Sequence, residues 1–176
     1  MIINFEILKY DQFSSFPMET VSIFVDVQNI YNTTKQIYHC NFDYYSFWKK
    51  ITLNRNVIKA VAYATDCGDK KQKQFQNILK KIGFEVKLKP FIQRRDGSRK
   101  GDWDVGITID ILEYAKKSNV VVLASGDGDF SILIDKIKKD FSTRCEVYGV
   151  QKLTANSLIQ SASIFHPITN NLLLQK

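Results

Sequence analysis

The chain has 176 residues, 25 Lys+Arg against 18 Asp+Glu, and a formal net charge of +7. That length suits one domain able to bury a proper core, and 44% hydrophobic residues with 12% aromatics exclude a disordered chain. No apolar run reaches the roughly 18 residues of a membrane span, and no charged head, apolar middle and cleavage site open the sequence. A cytoplasmic protein with no membrane partner is the expectation.

The charge is unevenly spread. Between Lys70 and Lys100 stand eleven basic residues, opposed only by Glu85 and Asp96, so this window carries +9 and the remainder −2. A solvated helix face is one reading of such a run and a phosphate-binding strip is the other. Cys40, Cys67 and Cys145 are odd in number, far apart and form no CxxC, which argues against a disulfide framework or zinc knuckle. His39 and His166, at opposite ends of the chain, offer no recognisable base for a Ser-His-Asp arrangement.

Residues 1–17 do not fit the pattern that follows and read as an N-terminal extension, with the domain spanning 18–176. Residues 20–27 form a short apolar, β-rich run, predicted as a buried strand. Helices are expected over 29–36 and 42–53, with Asp43 near the start of the second. A second strand is predicted at 56–63. Asp69 is placed to cap a helix running to Lys81 and stopped by Gly83, with Phe75, Ile78, Leu79 and Ile82 as its apolar stripe. The alternation of residues 84–89 predicts a half-exposed strand, ended or bent by Pro90, and residues 95–98 read as a turn. A helix is expected over 102–117, apolar on more than one side and therefore deeply packed. The strand at 119–124, the helix at 129–139, the strand at 144–148, a short helix from Ser157 and a strand at 164–165 complete the order. Strands alternating with helices imply an α/β fold whose mostly parallel sheet is covered on both faces.

In such sheets ligands bind outside the carboxyl ends of the strands. Asp26 stands at that end of the first strand, and Asp127 and Asp129 follow the strand at 119–124 inside Ser125-Gly-Asp-Gly-Asp-Phe130. Asp104 lies in the first turn of a helix that must begin near the same rim. Four carboxylates from three segments converge there, which is unfavourable without a cation. Their oxygens suit Mg²⁺ or Mn²⁺, and Gly126 and Gly128 let the chain turn sharply between them. Capping is the bland alternative for Asp129, and a helix-dipole contact for Asp104. Asp110, about 9 Å further along the helix and rotated by about 120°, is expected to serve packing or orientation. Asp102 is ambiguous. Asn29 suits either a metal-bound water or substrate phosphate, or a helix cap.

These residues resemble the NYN domain family of the PIN-like nuclease superfamily, and especially its LabA-like branch. Phe24-Val-Asp-Val-Gln-Asn-Ile-Tyr31 is similar to the family's strand ending in D-x-x-N. Lys100-Gly-Asp-Trp-Asp104, leading to Asp110, resembles its K-G-x-D followed by an apolar helix with a second Asp. Leu123-Ala-Ser-Gly-Asp-Gly-Asp-Phe130 resembles its S/T-G-D-x-D-F loop, and Ser157-Leu its late S-x-x-L. Departures are Trp103 with an extra acid at Asp102, and Ser163 where relatives often carry Asp.

The resemblance implies a PIN-like three-layer α/β/α sandwich and metal-dependent ribonuclease chemistry. It nominates Asp26, Asp104, Asp127 and Asp129 as the acids of a site for one or two Mg²⁺ or Mn²⁺ ions, with Asn29 beside them. A polyanion approaching such acids needs positive charge nearby, so Lys70, Lys71, Lys73, Arg94, Arg95, Arg99 and Lys100 are the candidate RNA-binding residues. Trp103 and Tyr31 are candidates either for base stacking or for the core. The expected partner is single-stranded RNA, and a homo-oligomer is compatible with the chain. The rival reading is an RNA-binding module without turnover. No Walker-type loop or GxGxxG supports a common nucleotide-binding enzyme.

Overall fold

In the computed structural model the described residues are 18–66, 68–90, 92–93, 99–100 and 102–175. The expected extension at 1–17 and the turn at 95–98 lie outside them. The order is β1 (Glu19–Asp26), α1 (Val27–Tyr38), α2 (Tyr44–Thr52), β2 (Arg55–Asp66), α3 (Lys70–Ile82) and β3 (Glu85–Pro90). Then come β4 (Ile92–Gln93), β5 (Arg99–Lys100), α4 (Asp104–Ala115), β6 (Val120–Ala124), α5 (Phe130–Phe141), β7 (Arg144–Gly149), α6 (Asn156–Ser161) and β8 (Ile164–Pro167).

Local chemistry explains many of these boundaries. The Asp43 carboxylate accepts hydrogen bonds from the Tyr45 and Ser46 amides at 3.1 and 3.0 Å, and Asp69 accepts one from Lys71 N at 3.2 Å. Gly83 ends α3 at φ +132°, where a Cβ would stand 2.7 Å from the Trp48 ring.

Six strands form one sheet in the order β3-β2-β1-β6-β7-β8, and every pairing within it is parallel. Apolar strand runs favour this arrangement, because a parallel sheet is covered on both faces. Val21, Ile23 and Val25 of β1 pack on Ile30, Phe47 and Leu79 of the first three helices. Phe24 and Leu123 face the opposite way, onto Ile107 and Ile111 of α4, Ile134 of α5 and Leu158 of α6. The three-layer α/β/α sandwich follows. The β4–β5 pair is a separate antiparallel hairpin placed just before α4.

Two expectations about packing need correction. In α4 the buried apolar residues are Ile107, Ile111 and Ala115, while Val105 and Ile109 are 69% and 59% exposed. The helix belongs to an outer layer, so only one of its apolar faces meets the sheet. In α3 the stripe is centred on Leu79, and Ile78 is exposed beside Tyr45 and Leu53 of the α2 side.

Charge is fully paired at the amino end of the sheet. Arg55 makes a fork on buried Glu146, at 2.7 and 3.0 Å, and its Nε reaches Glu19 at 2.9 Å. Arg144 bridges the same two carboxylates. Hydrogen bonding from Arg144 holds Glu19 below the usual 4.5, against a counteracting burial effect. Burial pushes Glu146 up, but the hydrogen bonds and charges of Arg55 and Arg144 outweigh it, leaving it lowered as well. Both carboxylates therefore contribute stability above about pH 4.5 that is lost as pH falls through their folded values. Replacing Arg55 by Ala leaves Glu146 with Arg144 alone. The expected cost is about 3 kcal/mol, a fall in Tm of roughly 6–12 °C at pH 7. The deficit should shrink on acidification below pH 4, as read by thermal melts across pH.

Candidate metal centre

The strand order places a topological switch between β1 and β6, since the chain winds outward in one direction from β1 and in the other from β6. Loops leaving these two strands diverge to opposite faces and leave a crevice at their carboxyl ends. Asp26 ends β1, and Asp127 and Asp129 leave β6 in the next loop. α4 returns from the β5 side and begins with Asp104 at the same rim.

One carboxylate oxygen from each of Asp104, Asp127 and Asp129 lies within 4.8 Å of the other two. Asp26 lines the adjoining cavity of about 280 Å³ together with Asp104, Asp127, Asp102, Asn29 and Trp103. The capping alternative does not absorb Asp129, whereas Asp104, in the first turn of α4, also complements the helix dipole. Asp129 occupies the position before α5 without a side-chain capping bond, and Asp104 is the first residue of α4 behind an uncapped Trp103. Burial and then the charges of Asp127, Asp102, Asp26 and Asp129 push the Asp104 carboxyl up to about 6. Asp26 is also raised, chiefly by burial, despite the amide of Asn29 favouring its ionised form.

The loop is held by polar contacts. Asp26 Oδ1 accepts from Asn29 N at 3.1 Å and caps α1, and Ser125 Oγ donates to Asp26 Oδ2 at 3.3 Å. The Asp127 amide donates to Ser125 Oγ at 3.2 Å, and the Asp129 amide to Asp127 Oδ1 at 3.0 Å. Asn29 is not a cap. Its Oδ1 accepts from Gly126 N at 2.9 Å and ties α1 to the aspartate loop. Gly126 and Gly128 have ordinary negative φ, and what requires glycine there is space. A Cβ at Gly126 would stand 3.0 Å from the Leu153 carbonyl, and one at Gly128 2.8 Å from Ala155 Cβ.

Other nominated residues lie elsewhere or serve the scaffold. Asp110 accepts from Tyr63 Oη at 2.5 Å and pairs with Lys87 at 2.6 Å, so it meets the cavity only through Tyr63. Trp103 donates its indole N–H to Ala64 O at 2.9 Å, packs on Tyr63 and carries Lys89 over its ring. Its faces are engaged by the protein. Tyr31 is 53% exposed and does not line the cavity. Ser163 Oγ accepts from Cys145 N at 3.0 Å at the opposite end of the sheet.

The basic window divides. Lys70, Lys71 and Lys73 are exposed on the first turns of α3, four or more residues beyond the end of β2 and so on the carboxyl rim. Lys80 and Lys81 lie in its last turn, towards the amino ends, while Lys87 is paired with Asp110 and Lys89 donates to Asp102 O at 2.8 Å. Arg99 and Lys100 form β5, directly ahead of α4, and Arg94 and Arg95 lie outside the described residues. Sequence reading missed Gln28, Asn32, Tyr63 and Thr65 as cavity residues. The i+3 spacing of Asn32 from the nominated Asn29, and its i+4 spacing from Gln28, offered a signal for the first two, whereas Thr65 lay beyond the expected end of β2.

The donor set fits a hard divalent cation: carboxylate oxygens only, gathered from the ends of β1 and β6 and the start of α4, in an open cavity with space for water. Among the described residues, no helix is long and apolar enough to cross a membrane. No protein of curated function matches the chain. A protein of unknown function from Vibrio parahaemolyticus is 50% identical, with a TM-score of 0.87 over 91% of this chain and 99% of its own. A putative aminotransferase from Clostridium difficile, at 11% identity over 69% of this chain and 34% of that one, has a TM-score of only 0.28 and carries no argument. The NYN domain family model matches residues 20–169. Three acids at the switch point of an all-parallel sandwich are thus carried on a chain that belongs to the NYN domain family, within the PIN-like superfamily.

Proposed function

We propose that this chain is a metal-dependent ribonuclease hydrolysing phosphodiester bonds of single-stranded RNA, with Asp26, Asp104, Asp127 and Asp129 as its acidic site. The observation that carries the reading is the triad of carboxylate oxygens within 4.8 Å, one of which, from Asp129, makes no capping bond although it precedes α5. A bound Mg²⁺ or Mn²⁺ supplies Lewis-acid stabilisation of the charge that develops as the phosphodiester is opened, and lowers the pKa of water.

The protein's own residues supply the rest. Asp104, Asp127 and Asp129 hold the cation. Asp26, anchored by the Asn29 amide and the Ser125 hydroxyl, is positioned as an acceptor for the proton of an attacking water. Asn29 holds the loop that presents Asp127. Lys70, Lys71 and Lys73 on the rim, with Arg99 and Lys100 of β5 and with Arg94 and Arg95 from the same basic run of the sequence, draw in the polyanion that the acids would otherwise repel. A cavity of about 280 Å³ is on the scale of a single nucleotide, which favours an unpaired strand as substrate. The spelling of the three motifs supports the LabA-like branch.

Two measurements test the proposal. Asp127→Asn should abolish cleavage of labelled RNA in Mn²⁺, an activity that EDTA also removes from the native chain, while the melting curve stays cooperative. Retained cleavage overturns the mechanism, and a stable RNA complex without products in any divalent ion supports binding alone. Asp104→Asn removes a half-buried charge repelled by neighbouring acids. Without divalent ions it should melt up to a few degrees higher than the native chain at pH 7, and it should lose the gain in Tm that Mn²⁺ gives the native chain.

A further inference from the structure

The α1 side of the cavity differs in chemistry from the other walls. Gln28, Asn29 and Asn32 face the cavity from this helix, whereas the opposite side carries Asp102, Trp103 and Asp104. Gln28 and Asn32 are four residues apart and therefore stand one above the other on a single helix face. Asn29 is committed to Gly126. The Gln28 and Asn32 side chains are exposed and have no hydrogen-bond partner among the described residues.

An uncharged pair suits this place for a physical reason. A lysine or arginine facing Asp26, Asp104 and Asp127 would pair with them and compete with a cation. An amide offers a donor and an acceptor without neutralising the acids. A ribose 2′-hydroxyl is likewise both donor and acceptor, and it is the group that distinguishes RNA from DNA at a given position. No other cavity-lining side chain among the described residues combines an unpaired donor and acceptor with neutrality on the helix that carries the metal-side Asn29: Thr65 lies across the cavity on β2, and Tyr63 is engaged with Asp110.

We infer that Gln28 and Asn32 are specificity-determining residues that hydrogen-bond the ribose 2′-hydroxyl beside the scissile phosphate and make the site prefer RNA to DNA. This rests on the ribonuclease reading above and names how the substrate's sugar is recognised.

The full-length chain and its Gln28→Ala/Asn32→Ala double variant are assayed in Mn²⁺ on three oligonucleotides of one sequence. These are all-RNA, all-DNA, and RNA with single 2′-deoxy substitutions. The native chain should cleave RNA faster than DNA and slow at one 2′-deoxy position. In the double variant KM for RNA should rise about tenfold, with a smaller change in kcat, and the 2′-deoxy penalty should vanish. Both positions are exposed, so the melting temperature should be unchanged. Equal cleavage of RNA and DNA by the native chain, or a preference that survives both substitutions in a folded variant, overturns the inference.

If the native chain cleaves nothing in any divalent ion, the ribonuclease reading fails first. Fluorescence anisotropy of the same labelled oligonucleotides then decides the inference separately. A binding preference for RNA that the double variant loses supports it, and no preference, or one that is retained, overturns it.

Discussion

Carboxylate oxygens from Asp104, Asp127 and Asp129 within 4.8 Å of one another constitute a local instability that the rest of the fold has to hold in place. None of the three can be relieved by moving away, because each is set by an element whose position is decided elsewhere. Asp127 and Asp129 follow β6, which is locked between β1 and β7 by parallel pairing. Asp104 begins α4, which is seated by Ile107 and Ile111 against the sheet. The rise of the Asp104 carboxyl to about 6, from burial first and neighbouring acids second, registers the strain of that convergence.

The loop between β6 and α5 holds this geometry by closeness rather than by unusual backbone angles. Gly126 and Gly128 lie so near Leu153, Thr154 and Ala155 that a methyl group would push the segments apart. The Ala155 amide donates to Gly126 O at 3.0 Å, and Asn29 grips the Gly126 amide from the other side. The short stretch before α6, unremarkable in sequence, is therefore the back wall of the acidic site.

The two ends of the sheet are electrically opposite in design. At the amino end Glu19, Glu146, Arg55 and Arg144 cancel one another and lock β1, β2 and β7 together. At the carboxyl end the acids Asp26, Asp104, Asp127 and Asp129 gather with no ion pair among the described residues. The overall +7 is thus no guide to the local field at the site. Even the basic window is divided: Lys87 and Lys89 of β3 are engaged by Asp110 and by the Asp102 carbonyl, whereas the lysines at the start of α3 are exposed on the rim.

Short-range chemistry was legible from the residues alone. Asp43 and Asp69 cap helices and Gly83 stops one, because each acts on backbone groups two to four positions away. The run Val120–Ala124 is so uniformly apolar that it reads as a central strand, and it is buried throughout. The alternation of strands and helices determined the α/β sandwich, and the acids at strand ends pointed to one rim. What remained hidden depended on partners distant in the chain. These include the exposure of Ile78, Val105 and Ile109, the extension of β2 to Asp66, the pairing of Lys87 with Asp110, the role of Asn29 as a tie rather than a cap, and the amide-bearing face of α1. Local periodicity and capping act within a few residues, so the order of amino acids was enough to set which elements form and which residue types stand at the carboxyl rim. Which of those side chains meet depended on strand order and layer packing, which bring together residues about a hundred or more positions apart, as Asn29 and Gly126 or Glu19 and Arg144 are.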